Sequence, residues 1–283
     1  MALSIEVAAN SDVGCVRTNN EDFAAYDQDL GVYLVLDGMG GQAAGEVASR
    51  MGAEMVLDYF RESRKNGGGP PWPAVGKQVD NASPAANALA SAIRIANEAI
   101  FNAASEHAAR RGMGSTIVSV LFDAELGLFS VAHVGDSRIY LFRHGDLQQL
   151  TNDHSLVMEQ VRRGLITREE AEKSDMQNII IRALGPEASV EPDVDDQAAQ
   201  PGDILMLATD GLTKLVSDDH IREVLASSRS LDSMVEELIQ AAKDRGGDDN
   251  ITCMLLRIQS RPWYKQWLHW LVPSGGSQWQ SSS

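Results

Sequence analysis

Acidic side chains recur where apolar segments of the chain end, and this arrangement is the first indication of chemistry. Carboxylate oxygens are the ligands that Mg²⁺, Mn²⁺ and Ca²⁺ prefer, whereas zinc and copper sites draw on histidine and cysteine. The chain has only 6 scattered histidines and 2 cysteines. An oxygen-only cation site is therefore predicted. The candidate acids are Glu21, Asp22, Asp37, Asp136, Asp210, Asp248 and Asp249.

The number of these acids suggests two cations rather than one. Carboxylates repel one another at close range and need cations to lie together. Two cations about 3.5–4 Å apart are common in enzymes that hydrolyse phosphate esters, because they lower the pKa of a bound water and screen the phosphate charge. Arg17 adds a planar guanidinium suited to two hydrogen bonds with a phosphate. A scatter of solvated surface acids is the competing interpretation, and the pattern alone leaves it open.

Short apolar segments would position these acids. Residues 32–36 are rich in strand-forming types and too few for a typical helix, and Asp37-Gly38 follows them directly. An isolated Asp-Gly pair is usually only a turn. The repetition of the pattern favours strands that end in a carboxylate. It occurs twice more, at Ile204–Ala208 before Asp210 and at 131–134 before Asp136.

The remaining elements follow from apolar spacing, which has period two in strands and spacings of three and four in helices. Strands are predicted at 3–9, 23–28, 32–36, 115–122, 128–134, 138–143, 147–150, 190–195, 203–208 and 251–258. Helices are predicted at 43–62, 84–110, 154–163, 217–226 and 231–243, and the polar segment 164–178 is predicted to be a surface flap. Paired helices beside many short strands indicate a sandwich of sheets covered by helices.

The composition excludes several classes of protein. The chain of 283 residues carries 40 Asp+Glu against 24 Lys+Arg, a formal charge of −16. Nucleic acids and anionic membranes attract basic surfaces, so neither is an expected partner. Cys15 and Cys253 form no closely spaced pair, the N-terminus does not resemble a signal peptide, and no apolar segment reaches about 18 residues. We therefore expect a cytoplasmic protein without membrane insertion and, without heptad repeats, a monomer.

Eight motifs in order carry a family resemblance. They are Arg17-Thr-Asn-Asn-Glu-Asp22, Leu36-Asp-Gly-Met-Gly-Gly41, Gly114-Ser-Thr116, Val134-Gly-Asp-Ser-Arg138, Leu150-Thr-Asn-Asp-His154, Arg182-Ala-Leu-Gly185, Ala208-Thr-Asp-Gly-Leu212 and Gly247-Asp-Asp-Asn-Ile251. Together they closely resemble the metal-dependent PPM (type 2C) protein phosphatases of the bacterial type. Each motif alone is weak, but the ordered set is very specific.

The resemblance covers about 5–258 and implies an α+β fold. Two antiparallel β-sheets would pack as a sandwich flanked on both sides by helices (α-β-β-α). We assign 1–260 to one catalytic domain and 261–283 to a C-terminal tail. This tail is first aromatic, which suggests either packing on the domain or docking of a partner, and then rich in serine and glycine, which predicts disorder.

The resemblance also assigns roles to residues. It implies two Mn²⁺ or Mg²⁺ ions, with a third, looser site, and Arg17 bound to the substrate phosphate. The implied ligands are Asp37, which bridges the ions, the Gly38 carbonyl, Asp210 and Asp249, with Asp136 beside Asp210 at the third site. The residues implied around them are Glu21 and Asp22, which hold metal-bound waters, and Asn250, which orients Asp249; for Asp248 we expect a solvated turn.

The implied reaction is hydrolysis of phosphoserine or phosphothreonine. The water that bridges the ions attacks phosphorus in line, without a phosphorylated enzyme, while Arg17 and the ions stabilise the charge on the phosphate oxygens. Animal members carry a histidine, proposed to protonate the leaving alcohol, where this chain has Met39. We expect a metal-bound water to be the acid here. His154 is the side-chain alternative, unless it only forms a structural hydrogen bond at the start of the 154–163 helix.

Three other functions share these features. A non-catalytic regulator would bind phosphoproteins without turnover, although it would not need the complete ligand set of Asp37, Asp210 and Asp249. A binding protein with a structural cation would not need Arg17. A small-molecule phosphatase would use the same site. If the resemblance holds, the expected partners are phosphorylated proteins, including a Ser/Thr kinase that the phosphatase opposes and the substrates of that kinase.

Overall fold

A computed structural model describes residues 3–40, 44–65, 72–171 and 173–260. The strands in these ranges form two antiparallel sheets. The first sheet has the order β1 (Leu3–Asp12), β11 (Ile251–Ser260), β10 (Ile204–Ala208), β7 (Arg138–Arg143) and β8 (Asp146–Gln149). The second has the order β2 (Asp22–Asp27), β3 (Val32–Met39), β5 (Ile117–Asp123), β6 (Leu128–Val134) and β9 (Asp193–Ala198), and β4 (Gly114–Ser115) pairs with the end of β3.

Helices cover the outer faces of both sheets. Those packed on the second sheet are α1 (Ala44–Lys65) and α2 (Pro84–Glu106). The C-terminal group on the first sheet comprises α5 (Asp210–Thr213), α6 (Asp218–Leu225) and α7 (Leu231–Lys243), while α3 (Leu156–Arg162) and α4 (Arg168–Ala171) lie between β8 and β9 in the chain. In the described ranges, none of these helices is both long and apolar enough to span a bilayer.

The strands are apolar throughout because both faces of each sheet are covered. Along β3, Leu34 and Leu36 pack toward α1 and α2, whereas Tyr33 and Val35 pack between the sheets. Alternate residues of β10 divide in the same way between the sheet interface and the C-terminal helices. Three apolar layers thus separate four layers of secondary structure, and the predicted α-β-β-α fold class is confirmed.

Most predicted elements occur near their predicted positions, and serine side chains mark several helix starts. Ser155 and Ser217 accept hydrogen bonds from the backbone N–H groups of the first turns of α3 and α6. The predicted helix at 84–110 ends at Glu106, and a 3₁₀ turn follows at Ala108–Arg110. The predicted flap contains the short helix α4, and the tail at 261–283 lies outside the described residues.

One predicted strand is misplaced. We expected a strand at 190–195, but β9 spans Asp193–Ala198. It is an edge strand that pairs only with β6, and its acidic residues face solvent in part. Val190, the apolar residue that suggested an earlier start, instead packs from the preceding loop into the core beneath α2.

Candidate metal centre

Two of the acids face each other across neighbouring strands. Asp22 begins β2 and stands directly opposite Asp37 on β3. Like charges at opposed positions of an antiparallel pair are destabilising. Thr116 fixes the backbone of Asp37 on both sides, since its Oγ1 accepts from the Asp37 N–H at 3.1 Å and its own N–H donates to the Asp37 carbonyl at 2.8 Å. The fold therefore holds a repulsive pair of carboxylates in place.

Asn250 joins the N-terminal loop to the acids near the C-terminal end of the described chain. Its side-chain oxygen accepts from the Glu21 N–H at 2.8 Å, and its side-chain nitrogen donates to the carbonyls of Val13 and Asn19 at 3.0 and 2.9 Å. Its backbone N–H donates to Asp249 Oδ1 at 2.8 Å. Asn250 thus contacts Asp249 through its backbone, while its amide side chain secures the loop that carries Glu21.

The turn after Asp37 is packed against the start of α1 with no space for a side chain. A Cβ on Gly38 would lie 2.2 Å from the Gly45 carbonyl oxygen and 2.6 Å from that of Glu21. A Cβ on Gly45 would lie 2.5 Å from Glu21 Oε2 and 2.7 Å from the Gly38 carbonyl carbon. These glycines let three backbone segments meet beside Asp37.

Asp136 and Asp210 add two more carboxyl groups, of which Asp136 is buried and Asp210 is half-buried. Asp136 lies in the turn after β6 and is 4% exposed, and Asp210 begins α5 directly after β10. Lys214, one helical turn beyond Asp210, forms an ion pair with it, and its Nζ lies 3.9 Å from Asp136 Oδ2. Lys214 Nζ also donates to Asn178 Oδ1 at 2.7 Å.

The pKa values of these acids are shifted by burial and by the charges of the neighbouring acids. Burial raises the pKa of Asp37 well above its usual range, and Asp22, Asp210, Asp136 and Asp249 raise it further. Burial likewise raises the pKa of Asp22 to about 7, with Asp210 and Asp249 contributing, although two threonine hydroxyl groups act against the increase. The pKa of Asp136 rises to about 7 through burial and the charge of Asp210.

The carboxyl oxygens also lack enough donors. In the described part of the chain, six buried side-chain atoms have no hydrogen-bond partner, and four of them are Asp22 Oδ1, both oxygens of Asp136 and Asp210 Oδ1. Buried acceptors without donors are costly and rare in folded proteins. Carboxyl oxygens that repel one another and lack hydrogen-bond donors are suited to bind divalent cations. Such cations supply positive charge and accept the lone pairs of the oxygens.

Arg17 lies at the exposed side of this group. Its Nη2 donates to Asp249 Oδ2 at 3.0 Å, and its Nε lies 3.4 Å from the Asp248 carbonyl oxygen. The Arg17 side chain is 54% exposed, which leaves it accessible to a substrate. Asp248 takes part through its backbone, and the residue itself is exposed.

A second cluster, His133, His154 and Asp193, brings three potential ligand atoms within 4.8 Å of one another. Both ring nitrogens of His154 have polar contacts. Nδ1 accepts a hydrogen bond from the Gly135 N–H at 3.1 Å, and Nε2 lies 3.1 Å from Arg182 Nη1 and 3.3 Å from Asp193 Oδ2. Asp193 Oδ1 accepts from Arg182 at 2.7 Å. We interpret this cluster as a structural network, and the burial of His154 agrees with the structural interpretation of that residue.

Sequence reasoning missed the polar residues that surround the acids. Thr209 and Thr252 both donate to Asp22 Oδ2, at 2.9 and 2.7 Å. Lys214 also escaped notice, although its position four residues after Asp210 was a signal that the two could meet on one helical turn.

The chain is similar to known protein phosphatases in sequence and in structure. The family model described as protein phosphatase 2C matches residues 16–256. A putative protein phosphatase 2C-type from Streptococcus pyogenes is 38% identical over 90% of this chain and 98% of its own length. The crystal structure of the Mycobacterium tuberculosis serine/threonine phosphatase PstP/Ppp is similar with a TM-score of 0.77 and 33% identity, over 90% of this chain and 99% of that one.

A metal-bound relative is also among the similar structures. The catalytic domain of the serine/threonine protein phosphatase PstP in complex with two manganese ions has a TM-score of 0.75 and 34% identity, over 91% of this chain and 100% of that one. The match of the family model extends over most of the chain and includes every acid of the site. The chain belongs to the protein phosphatase 2C family.

Proposed function

We propose that the acidic site holds two Mn²⁺ or Mg²⁺ ions and that the protein hydrolyses phosphoserine and phosphothreonine in other proteins. As a member of the protein phosphatase 2C family, the protein is a serine/threonine phosphatase like its relatives. The observation that carries the proposal is the set of buried carboxyl oxygens that lack donors and raise one another's pKa. Such a set needs cations to be stable at neutral pH.

The residues fit this role in a definite arrangement. Asp37 and the Gly38 carbonyl would hold one ion, and Asp37, Asp210 and Asp249 the other. Asp136, with Asp210, would form a third and weaker site. Bound ions of this kind lower the pKa of water and screen the charge of a phosphate. Glu21, Asp22 and Asn250 would support the ligands from behind, through bound water or through the backbone contacts described above.

Arg17 would bind the substrate phosphate. Its hydrogen bonds use Nε and Nη2 on the Asp249 side of the site, and its exposed guanidinium can still donate to a phosphate oxygen. The ion pair with Asp249 keeps the guanidinium beside a proposed metal ligand. Arg17 would thus hold the phosphate in line with the attacking water and stabilise its charge. The acid that protonates the leaving alcohol would be water, because His154 is engaged in its own network.

Phosphorylated proteins are the proposed substrates, and a Ser/Thr kinase with its targets is the proposed set of partners. The charge of −16 supports a protein that works away from nucleic acids and anionic membranes. We also propose a cytoplasmic monomer, with 1–260 as the catalytic domain.

Phosphate release from a phosphothreonine peptide with Mn²⁺ tests the proposal directly. We expect release that EDTA abolishes, and its loss in Asp37→Asn, because this change removes the proposed bridging carboxylate. Asp248→Asn is the matched control, since that residue is exposed and contributes only its carbonyl. A folded, Mn²⁺-bound protein without release would favour a non-catalytic regulator. Release from small phosphate esters alone would favour the small-molecule phosphatase.

A further inference from the structure

Lys214 is the one basic side chain that the described residues bring to the Asp136–Asp210 pair. It follows α5 as the C-cap residue, so that it and Asp210 lie one helical turn apart on the same face. Its Nζ pairs with Asp210 Oδ2 and lies 3.9 Å from Asp136 Oδ2. The second contact is an electrostatic one, because hydrogen bonds are shorter.

The ammonium satisfies this pair only in part. It donates to Asp210 Oδ2 and to Asn178 Oδ1, whereas both oxygens of Asp136 and Asp210 Oδ1 remain without donors. Asp136 is 4% exposed, so water has little access to it. Three buried acceptor atoms of this pair thus remain without donors, although the charge of Lys214 lies close enough to offset part of theirs.

The charge of Lys214 is permanent near neutral pH. A lysine side chain is protonated at neutral pH, and the carboxyl groups of Asp210 and Asp136 beside Lys214 favour the charged form. The side chain is 29% exposed, so its flexible stem can leave the site for solvent. A divalent cation that approached Asp136 and Asp210 would meet this positive charge at short range.

We propose that Lys214 is the built-in cation of the Asp136–Asp210 pair and that a divalent ion binds there only by displacing its ammonium group. Lys214 therefore sets the weak affinity of this site. The site of Asp37, Asp210 and Asp249 fills first, because Lys214 pairs with Asp210 Oδ2 and leaves Asp210 Oδ1 without a partner. Displacement also breaks the contact between Lys214 and Asn178, which belongs to the segment between α4 and β9. This inference rests on the proposed function, because it takes Asp136 and Asp210 as cation ligands.

Mn²⁺ titration of the metal-free full chain, with free Mn²⁺ measured by electron paramagnetic resonance, tests the inference without an activity assay. We expect a tight class of sites and a weak class in the wild type. Lys214→Met should tighten the weak class by about tenfold or more, because the incoming ion no longer has to break the pairing of the ammonium with the two carboxyl groups. If the wild type shows no weak class of sites, the appearance of such a class in Lys214→Met supports the inference equally.

Three further variants make the result specific. Lys214→Arg, which keeps the charge, should bind Mn²⁺ like the wild type. Lys65→Met should also leave the isotherm unchanged, since it removes an exposed ion pair with Glu62 on α1. The double variant Lys214→Met with Asp136→Asn should lose the tightened class, which would locate that class at Asp136. If Lys214→Met melts early, Lys214→Gln carries the same expectation.

A weak class in Lys214→Met within twofold of that of the wild type would overturn the inference, as would tightening that survives Asp136→Asn. Failure of the proposed function has a different signature. In that case, neither the wild type nor any variant at position 214 would show a tight class of sites that Asp37→Asn removes.

Discussion

At the scale of single residues, Asp22 shows what the site demands of a carboxyl group. It is 6% exposed, one oxygen receives two threonine hydroxyl groups and the other has no donor. Burial, the largest effect, raises its pKa to about 7 from an ordinary value of 3.8. A buried acid of this kind favours the protonated form in the folded state, unless a cation is present.

The metal-free protein should therefore lose stability as pH rises. Because the folded pKa of Asp22 exceeds the unfolded one, its contribution is fully present below about pH 4 and is lost as pH rises through about 7. We expect Asp22→Asn in EDTA to melt at a similar temperature to the wild type at pH 4 and about 4 °C or more above it at pH 8. Thermal unfolding across this range measures the difference; equal slopes for the two proteins would contradict the assignment.

Arg17 should contribute to binding more than to turnover. Hydrogen bonds to charged groups contribute about 1.5–3 kcal/mol, so Arg17→Ala should raise KM for a phosphopeptide by roughly 10- to 100-fold, with a smaller effect on kcat. Arg222→Ala on α6 is a suitable control, because Arg222 is similarly exposed and pairs with Asp219. An unchanged KM in Arg17→Ala would exclude the phosphate role.

Asp37, Asp136 and Asp210 could be predicted as candidate ligands because a carboxylate after an apolar strand leaves a clear signal. The position of Lys214 was a weaker signal, since its spacing from Asp210 allows a contact on one helical turn. The role of Thr252 could not be predicted, because it depends on which side chain the fold brings opposite an oxygen of Asp22. The two-fold attachment of Asn250, by its backbone to Asp249 and by its side chain to the N-terminal loop, lies beyond sequence reasoning for the same reason.

At the scale of elements, the start of α1 positions the Asp37-Gly38 turn. Gly45 touches backbone atoms of that turn, whereas Gly52, two turns later, faces only the flexible end of Leu36 at 2.8 Å and side-chain atoms beyond. A side chain should therefore be tolerated at position 52 of this helix but not at position 45.

Alanine substitutions on α1 should separate these positions. Gly45→Ala forces the helix away from Gly38, so we expect a loss of about 1–3 kcal/mol and weaker Mn²⁺ binding. Gly52→Ala should be nearly neutral, because Leu36 can adjust and alanine favours the helix by about 0.5–1 kcal/mol. Chemical denaturation and Mn²⁺ titration provide the measurements. Similar results for both variants would show that the contact at Gly45 does not hold the turn.

Elements with a strong apolar pattern could be predicted, and β9 shows where that reasoning ends. Its residues are largely acidic and pair on one side only, so backbone hydrogen bonds to β6 define it rather than burial. Edge strands of this kind carry charged residues that discourage pairing with further strands. Because few of their residues are apolar, a search for alternating apolar residues does not detect them.

At the scale of the whole molecule, the proposed ligands connect distant parts of the chain. Asp37 belongs to the second sheet, Asp210 follows a strand of the first, and Asp249 precedes β11. Three apolar layers fix their relative positions. The layered fold could be predicted because strands that are buried on both faces are apolar throughout, whereas the contacts between layers are set by side-chain packing that no local pattern records.

Cations should therefore stabilise the complete fold. Mn²⁺ at a concentration 100 times its Kd should add about 2.7 kcal/mol to the free energy of unfolding. EDTA should remove this gain, and Asp249→Asn should reduce it, while Asp248→Asn should retain it. Calorimetry at several Mn²⁺ concentrations provides the test, and a melting temperature independent of Mn²⁺ would show that the ions do not bind the folded state.

The pairing of β1 with β11 has a consequence for how the protein is made. The first described strand pairs with the last along its whole length, from Leu3 opposite Ser260 to Asp12 opposite Ile251. During synthesis β1 leaves the ribosome early and must wait, as must β10, until β11 enters between them. Asp249 arrives in the same step. A nascent chain interrupted before this point exposes two unpaired strand edges and lacks a proposed metal ligand, so we expect phosphatase activity to begin only after translation has reached the end of β11.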